Sequence, residues 1–366
     1  MVRSIAAISI FVLGALAFTS CKEQVVLTSP APTAFEVNKG MGTGFNLGNT
    51  FDLGIHSTKL ADVAPLIDIY SQAGMRHIRI PVTWGSPVKD DTLMNSQGQF
   101  DAKKPLIKDL DNVVDYALKK GLYVIVNTHH EHWIKEKYDG SAHYNNSFAN
   151  LWTGIARHFK DRSPKLLFEI LNEPEKAFGD WSGPVKPFDP QAIKYTRQIN
   201  EVGWTAVRSV SKTRVVMIGV NGQGNQSMLD DVYPSSEILP GAGKDKFLIA
   251  TVHTYDPWPF CGQDGTADKW PGINAIIAPI KAVAAHGRKL GLPINYGEFG
   301  VGRRQTPSER NTDIVRSYYR AVKQTADLEG MSVTPWDDRG WFGLVESSGQ
   351  GKFRFVYDIV PSMMKK

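Results

Sequence analysis

The sequence predicts an α/β fold, a single (β/α)8 TIM barrel, on three observations. Eight apolar runs of strand length recur from Met41 onward, helix-length stretches separate most of them, and polar or acidic residues stand at many strand ends, where a barrel assembles its site. The chain has 366 residues and 42% hydrophobic content, ample for one large core and too little for several catalytic domains. Alternating strands and helices also suit a doubly wound sheet, but the strand count and the polar strand ends favour closure.

The expected strands are 42–48 (GTGFNLG), 75–80 (MRHIRI), 122–127 (LYVIVN), 166–171 (LLFEIL), 214–219 (RVVMIG), 247–253 (FLIATVH), 293–297 (PINYG) and 331–336 (MSVTPW). Helical spacing or length marks 59–73, 105–120, 146–160, 190–209, 273–289 and 308–328. The link after the fifth strand is less regular, since residues 225–245 carry two prolines, two glycines and several acids. The barrel is assigned to residues 39–366, and residues 22–38, rich in small and turn-forming residues, read as a flexible tether.

Ahead of the tether, residues 1–21 place Arg3 before an apolar run that ends in small residues at Cys21, the pattern of an export signal and too short for a confident membrane span. Phe18-Thr19-Ser20-Cys21 resembles the lipobox of bacterial lipoproteins, with Phe18 departing from the usual leucine-like residue. That resemblance implies a lipidated Cys21, peripheral attachment to the membrane and an outer-envelope location, with secretion as the alternative. The only other cysteine is Cys261, so processing leaves no obvious disulfide pair. A formal charge of +5, spread without a long basic block, gives no footprint for nucleic acid.

Two acids carry the chemical expectation. Glu173 follows Asn172 where LLFEILNEP should leave the sheet, stopped by Pro174. Glu298 follows the seventh strand between Gly297 and Gly300, where a carboxylate can approach a ligand closely. Facing carboxylates suit glycosidic cleavage: one is protonated for the departing oxygen, and the other is ionised to attack the anomeric carbon or activate water. A separation of about 5 Å gives retention and one of about 6.5–9.5 Å inversion. For either acid alone, a cap or half of an ion pair is the competing account.

Neighbouring residues sharpen the pattern. His129, His130 and His132 form a cluster of metal-ligand type, but adjacent histidines lack helical ligand spacing and no HExxH occurs, so no metal and no cofactor are expected. His129 is expected to turn inward toward a sugar or carboxylate. His253 and Tyr255 alternate along strand six and address one side, with the phenol a partner for Glu298. Arg79 on the second strand needs an anion, and pairing with Glu298 would keep that acid ionised. Asn172 can serve a sugar hydroxyl. Among nine tryptophans, Trp336 ends the eighth strand and offers a face to a pyranose, with Trp133, Trp258 and Trp341 in top loops extending it. GMGTGFNLG lacks the GxGxxG spacing, and no phosphate loop occurs.

Taken together, GFNLGNTFD at 44–52, HIRIPVTW at 77–84, NTHH at 127–130, FEILNEP at 168–174, HTYDPW at 253–258, YGEFG at 296–300 and PW at 335–336 closely resemble glycoside hydrolase family five. The motifs stand in family order over roughly residues 40–345, and LNEP followed much later by GEFG is the most specific pair. The resemblance implies a retaining double displacement, with Glu173 as acid/base and Glu298 as nucleophile, and supporting roles for Arg79, His129, Asn172, His253, Tyr255 and Trp336. GFNLGNTFD, HTYDPW, GRRQ and WDDRGWFGLV look closest to the bacterial endo-β-1,4-glucanase branch. The implied partner is a plant-type or related β-glucan polysaccharide, acted on by a monomer. A β-mannanase or other β-glycanase of the same fold is the nearest alternative, and a noncatalytic surface glycan-binding protein the alternative outside enzymes.

Overall fold

A computed structural model of the chain describes Met1 and residues 31–88 and 91–365. Eight parallel strands follow one another in chain order: β1 Gly44–Asn46, β2 His77–Ile80, β3 Tyr123–Asn127, β4 Leu166–Glu169, β5 Val216–Gly219, β6 Leu248–Thr254, β7 Ile294–Phe299 and β8 Ser332–Val333. A parallel bridge between Thr43 and Val333 joins the last strand to the first, so the sheet closes into the expected (β/α)8 barrel. β2, β4, β5, β6 and β7 are buried along their whole length, as strands covered by helices on one face and filled by side chains on the other must be.

The covering helices fall where the sequence puts them: Leu60–Gln72, Pro105–Lys119, Ala142–His158, Pro190–Val210, Ile273–Leu290 and Asp313–Leu328. Their starts have local causes. Asp189 accepts from the Gln191 amide ahead of Pro190, and Thr312 accepts from the Val315 amide, satisfying donors that the first helical turn leaves free. The expected helix at 308–328 is split, because a 3-10 turn at Pro307–Arg310 precedes the capped helix. After β5 the barrel has only short turns, including Asn221–Gly224 and Leu229–Val232, where the sequence was irregular.

Three elements depart from expectation. Residues 34–38, assigned above to the tether, lie in a helix, Ala34–Met41, whose Thr33 and Glu36 exchange the two hydrogen bonds of a capping box. Val37 and Met41 of that helix pack with Ile125, Leu167, Met217 and Ile249, closing the lower end of the barrel. Burying two such side chains stabilises the fold by roughly 1.5–3 kcal/mol each, which eight polar-rich residues in a tether could not supply. The chain also adds a hairpin, Val345–Gly349 with Lys352–Phe355, and a terminal helix, Ile359–Met364. Cys21 and the rest of the expected signal segment after Met1 lie outside the described residues. Among the described residues no helix is long and apolar enough to cross a membrane.

Above the apolar floor the barrel interior turns polar. Asn46 of β1 donates to the carbonyls of Gly297 (2.9 Å) and Thr334 (3.1 Å), and Asn295 of β7 donates to the Ser332 hydroxyl (2.8 Å). The Asn46 bonds join β1 to the last two strands, which are near it only in a closed barrel, so this buried layer fixes closure and supports the groups above it.

Candidate active site

Arg79 is the centre of the polar layer. It is 0% exposed, so its guanidinium requires anions and acceptors on all sides. Nε and Nη2 donate to the two oxygens of Glu169 at 2.6 and 2.8 Å. Nη1 donates to Asn46 Oδ1 at 2.9 Å and Glu298 Oε1 at 2.7 Å, and Nη2 also donates to Asn172 Oδ1 at 2.6 Å. Burial pushes the Glu169 carboxyl up, but the guanidinium overrides it and holds the group below its ordinary value. The pair's contribution is therefore present above the unfolded carboxylate value of about 4.3 and lost as pH falls through the lower folded value. Arg79→Met strands two buried carboxylates and is expected to cost about 3–5 kcal/mol, read as a lower urea midpoint at pH 7.

Glu298 stands inside β7, one residue before its end. The register of β6 against β7 shifts between Val252 and His253, so that His253 pairs with Glu298 rather than with Gly297. That irregularity brings the imidazole beside the carboxylate. Glu298 Oε2 accepts from the Tyr255 hydroxyl at 2.9 Å and lies 3.8 Å from His253 Nδ1. Tyr255 is held by Phe342 (ring centroids 5.3 Å apart) and Trp258 (6.3 Å). Burial raises its phenol well above the usual value, so it remains a donor.

Glu173 leaves the barrel at the opposite wall. Its φ of +43° lies in the left-handed region, a conformation that costs a non-glycine residue on the order of 1–3 kcal/mol and is held by its surroundings. The turn swings the carboxylate over the mouth, where Oε1 is 2.9 Å from His253 Nδ1. Carboxylate oxygens of Glu173 and Glu298, with a nitrogen of His253, all lie within 4.8 Å of one another. Although Glu173 keeps 25% of its side chain exposed to the cleft, burial pushes its carboxyl up to about 7. Burial raises Glu298 as well, joined by repulsion from the Glu173 carboxylate and opposed by His253 and by Arg79. His253 is driven down to about 4 by burial and is neutral between the two acids.

The histidine that follows β3 is oriented through its support. Asn127 Oδ1 accepts from the Val82 amide (3.1 Å), so its Nδ2 donates to His129 Nδ1 (3.1 Å) and the ring proton sits on Nε2. Asn172 Oδ1 is taken by Arg79, leaving its Nδ2 3.4 Å from that same Nε2. Two donors thus meet at the mouth without an acceptor between them, an arrangement suited to hydroxyl oxygens. The Trp336 ring lies parallel to His129, 5.9 Å between centroids at 5°.

These groups open into one cleft of about 1280 Å³ lined by Glu173, Glu298, His129, His253, Tyr255 and Trp336, with Trp258 and Trp341 on its rim. Arg79 and Asn172 lie directly beneath. Trp133 is a correction: it does not line the cleft, because its indole donates to Glu131 (2.7 Å) and its ring packs against Tyr144 and Phe148. Sequence reasoning missed Glu169, Asn46, Asn127 and Trp181, the last 45% exposed in the cleft with its indole fixed on the Gly222 carbonyl (2.9 Å). Glu169 had a signal, an acid inside the apolar LLFEIL run one strand removed from a second-strand arginine. Asp52, His129 and His130 also bring one donor atom each within 4.8 Å of one another; the Asp52 oxygens accept the Asn49 and Thr50 amides and His129 Nδ1 accepts from Asn127. These bonds tie Asp52 to its own loop and orient the His129 ring.

The barrel and this centre define a class, a paired-carboxylate site in an open, aromatic-walled cleft at the carboxyl ends of the strands. Residues 38–338 match the model of the cellulase family (glycosyl hydrolase family 5), and the chain belongs to that family. It is 29% identical over 315 residues to endoglucanase H of Acetivibrio thermocellus, covering 86% of this chain and 31% of that one. It is 27% identical over 329 residues to endoglucanase A of Clostridium longisporum, covering 84% and 59% respectively. The chain thus spans only part of these relatives' lengths. A broad-specificity endoglucanase from Clostridium acetobutylicum superposes with a TM-score of 0.75 at 23% identity, covering 91% of this chain and 100% of that one. Endoglucanase Cel5A of Thermotoga maritima gives 0.71 at 23%, covering 91% and 100%. At such identities the superpositions show the shared fold.

Proposed function

We propose that this chain is an endo-acting hydrolase of β-1,4-linked glucans that works by double displacement with retention. The observation that carries the reading is the approach of Glu173 and Glu298 within 4.8 Å across one cleft, near the roughly 5–5.5 Å of retaining pairs and below the range of inverting ones. The endoglucanase names of its relatives support the glucan backbone.

In the first step a Glu298 oxygen forms a bond to the anomeric carbon while the bond to the leaving sugar oxygen breaks. That oxygen takes its electron pair and the proton of Glu173. Arg79 and the Tyr255 hydroxyl, each on one Glu298 oxygen, hold the attacking group and favour its charge. Glu173 receives no direct cation and keeps the proton. In the second step Glu173 takes a proton from water, the water oxygen bonds to the anomeric carbon, and Glu298 departs as carboxylate. Trp336 offers a face to the sugar, and His129 and Asn172 donate to its hydroxyls. Because Glu173 must begin protonated, kcat/KM is expected to fall as pH rises through about 7.

Reducing-end release from carboxymethylcellulose, mixed-linkage glucan, xyloglucan, xylan and glucomannan, with Glu298→Gln as control, tests the reading. Release fastest from a β-glucan and absent in the control is the expected result. Fastest release from mannan-containing polymer would make the chain a β-mannanase, and binding without release a noncatalytic glycan-binding protein. Plant-type glucan as the natural polymer, a monomeric state and envelope attachment through a lipid on Cys21 belong to the same reading. The Phe18-Thr19-Ser20-Cys21 motif supports the last of these, and a mature N-terminus without acyl mass in intact-protein mass spectrometry would remove it.

A further inference from the structure

After Glu173 the chain makes a long loop, 174–189, before the helix Pro190–Val210 begins. Its tip enters the cleft at Trp181. Its neck is narrow: Gly179, at φ +96°, lies so close to Pro187 that a Cβ there would stand 2.6 Å from the Pro187 Cα. The group that holds this neck comes from the neighbouring strand. Asn221, two residues past β5, is 0% exposed, and its Nδ2 donates to both sides of the neck, to the Phe178 carbonyl at 2.6 Å and the Pro187 carbonyl at 2.8 Å. Because both acceptors are carbonyls, only the nitrogen of the amide can face them. The amide oxygen is left buried without a hydrogen-bond partner among the described residues, a cost that the two donated bonds must outweigh. The next two residues continue the attachment. The Gly222 carbonyl accepts from the Trp181 indole at 2.9 Å, and the Gln223 amide donates to the Pro174 carbonyl at 3.4 Å. One turn after β5 therefore grips the loop at its start, its neck and its tip.

Glu173 beyond β4 and Glu298 in β7 divide the barrel mouth in two. β8, β1, β2 and β3 form one side, where the Trp336 and His129 rings lie parallel. The other side belongs to β5 and β6, and there Trp181 leans on Gly222. A glucan passing between the acids sets the attacked sugar on Trp336, so the departing sugar extends toward Trp181. We infer that Asn221 is a positioning residue for the departing sugar: its amide clasps the neck of the loop that follows Glu173 and so sets Trp181 as the wall against which that sugar is held. This rests on the double-displacement reading above. Asn221 itself is sealed from the cleft and acts through the loop. The turn at the tip is built locally, with the Asp180 amide donating to the Val185 carbonyl at 2.8 Å and the Asp180 carboxylate accepting from the Ser182 amide at 3.0 Å. Loosening the neck therefore moves the tip as a unit.

The test compares kcat and KM of the full chain and its variants on cellotetraose and on β-cellobiosyl fluoride, whose leaving group is a single atom that reaches no loop. In Asn221→Ala, kcat/KM on cellotetraose is expected to fall about tenfold, mostly through KM, while kcat/KM on the fluoride changes less than about twofold. Trp181→Ala, at an exposed position, should show the same split. The double variant should lose no more than Trp181→Ala alone, because the clasp acts through that ring. Gly222→Ala moves the wall with Asn221 intact, since the new Cβ would stand 3.0 Å from the Pro187 side chain and 3.1 Å from the Trp181 Nε1, and it takes the place of Asn221→Ala if that variant does not fold. Equal losses on both substrates, an undiminished rate on cellotetraose, or additive losses in the double variant would overturn the inference and leave the double displacement intact. A wild-type chain that cleaves neither cellotetraose nor the fluoride overturns both.

Discussion

Glu298→Ala lowers kcat on a soluble β-glucan by roughly four orders of magnitude or more, with the fold retained. The size follows from the role: no other group in the mouth stands ready to form the covalent intermediate, and removing the nucleophile of an interdependent set removes nearly the whole contribution of that set. Retention of the fold follows from Arg79, which keeps both hydrogen bonds to Glu169 when Glu298 is gone. The vacated space also defines a control. Added azide, small enough to attack the same carbon, should restore turnover and give the glycosyl azide of inverted configuration. Initial rates with and without azide, beside thermal melts, check both statements. Loss of activity with a collapsed melt would point to structure rather than chemistry.

Glu173→Gln separates substrates by their leaving groups. On a glucan, whose departing alkoxide needs a proton, the loss is expected at about 10²- to 10⁴-fold, the range for a positioned general acid. On 2,4-dinitrophenyl β-cellobioside the leaving group departs without help, so the first step is nearly preserved and the glycosyl-enzyme accumulates for want of a base. A burst of dinitrophenol followed by a slow steady rate is the expected trace. Equal losses on both substrates would assign Glu173 to binding or structure. The contact from His253 Nδ1 at 2.9 Å can be kept by the amide, so the substitution alters proton transfer with little change in position.

The barrel was legible because its signal is repeated. Each strand supplies its own apolar run, and eight short errors at the boundaries do not alter the strand count or order. The helix Ala34–Met41 was not legible for a related reason: its role is to cover the lower mouth of a barrel that forms from residues far along the chain, and AFEVNKGM alone shows only a modest apolar face. Glu173 and Glu298 could be read because strand ends are where barrels place polar groups. Trp133 misled because position after a strand says which loop a ring occupies but not which way it turns, and the Glu131 carboxylate turns it inward. The register shift that sets His253 against Glu298 leaves no mark on a sequence at all, since it is a property of how two strands pair.

The central claim is double displacement through a short carboxylate separation, and the configuration of the first product tests it most directly. Proton NMR of a cello-oligosaccharide digest, recorded before mutarotation equilibrates the new reducing end, shows which anomer forms first. The account predicts the β-anomer, with the α-anomer growing in later. First appearance of the α-anomer would mean a single displacement by water and would contradict the assignment of Glu298 as nucleophile.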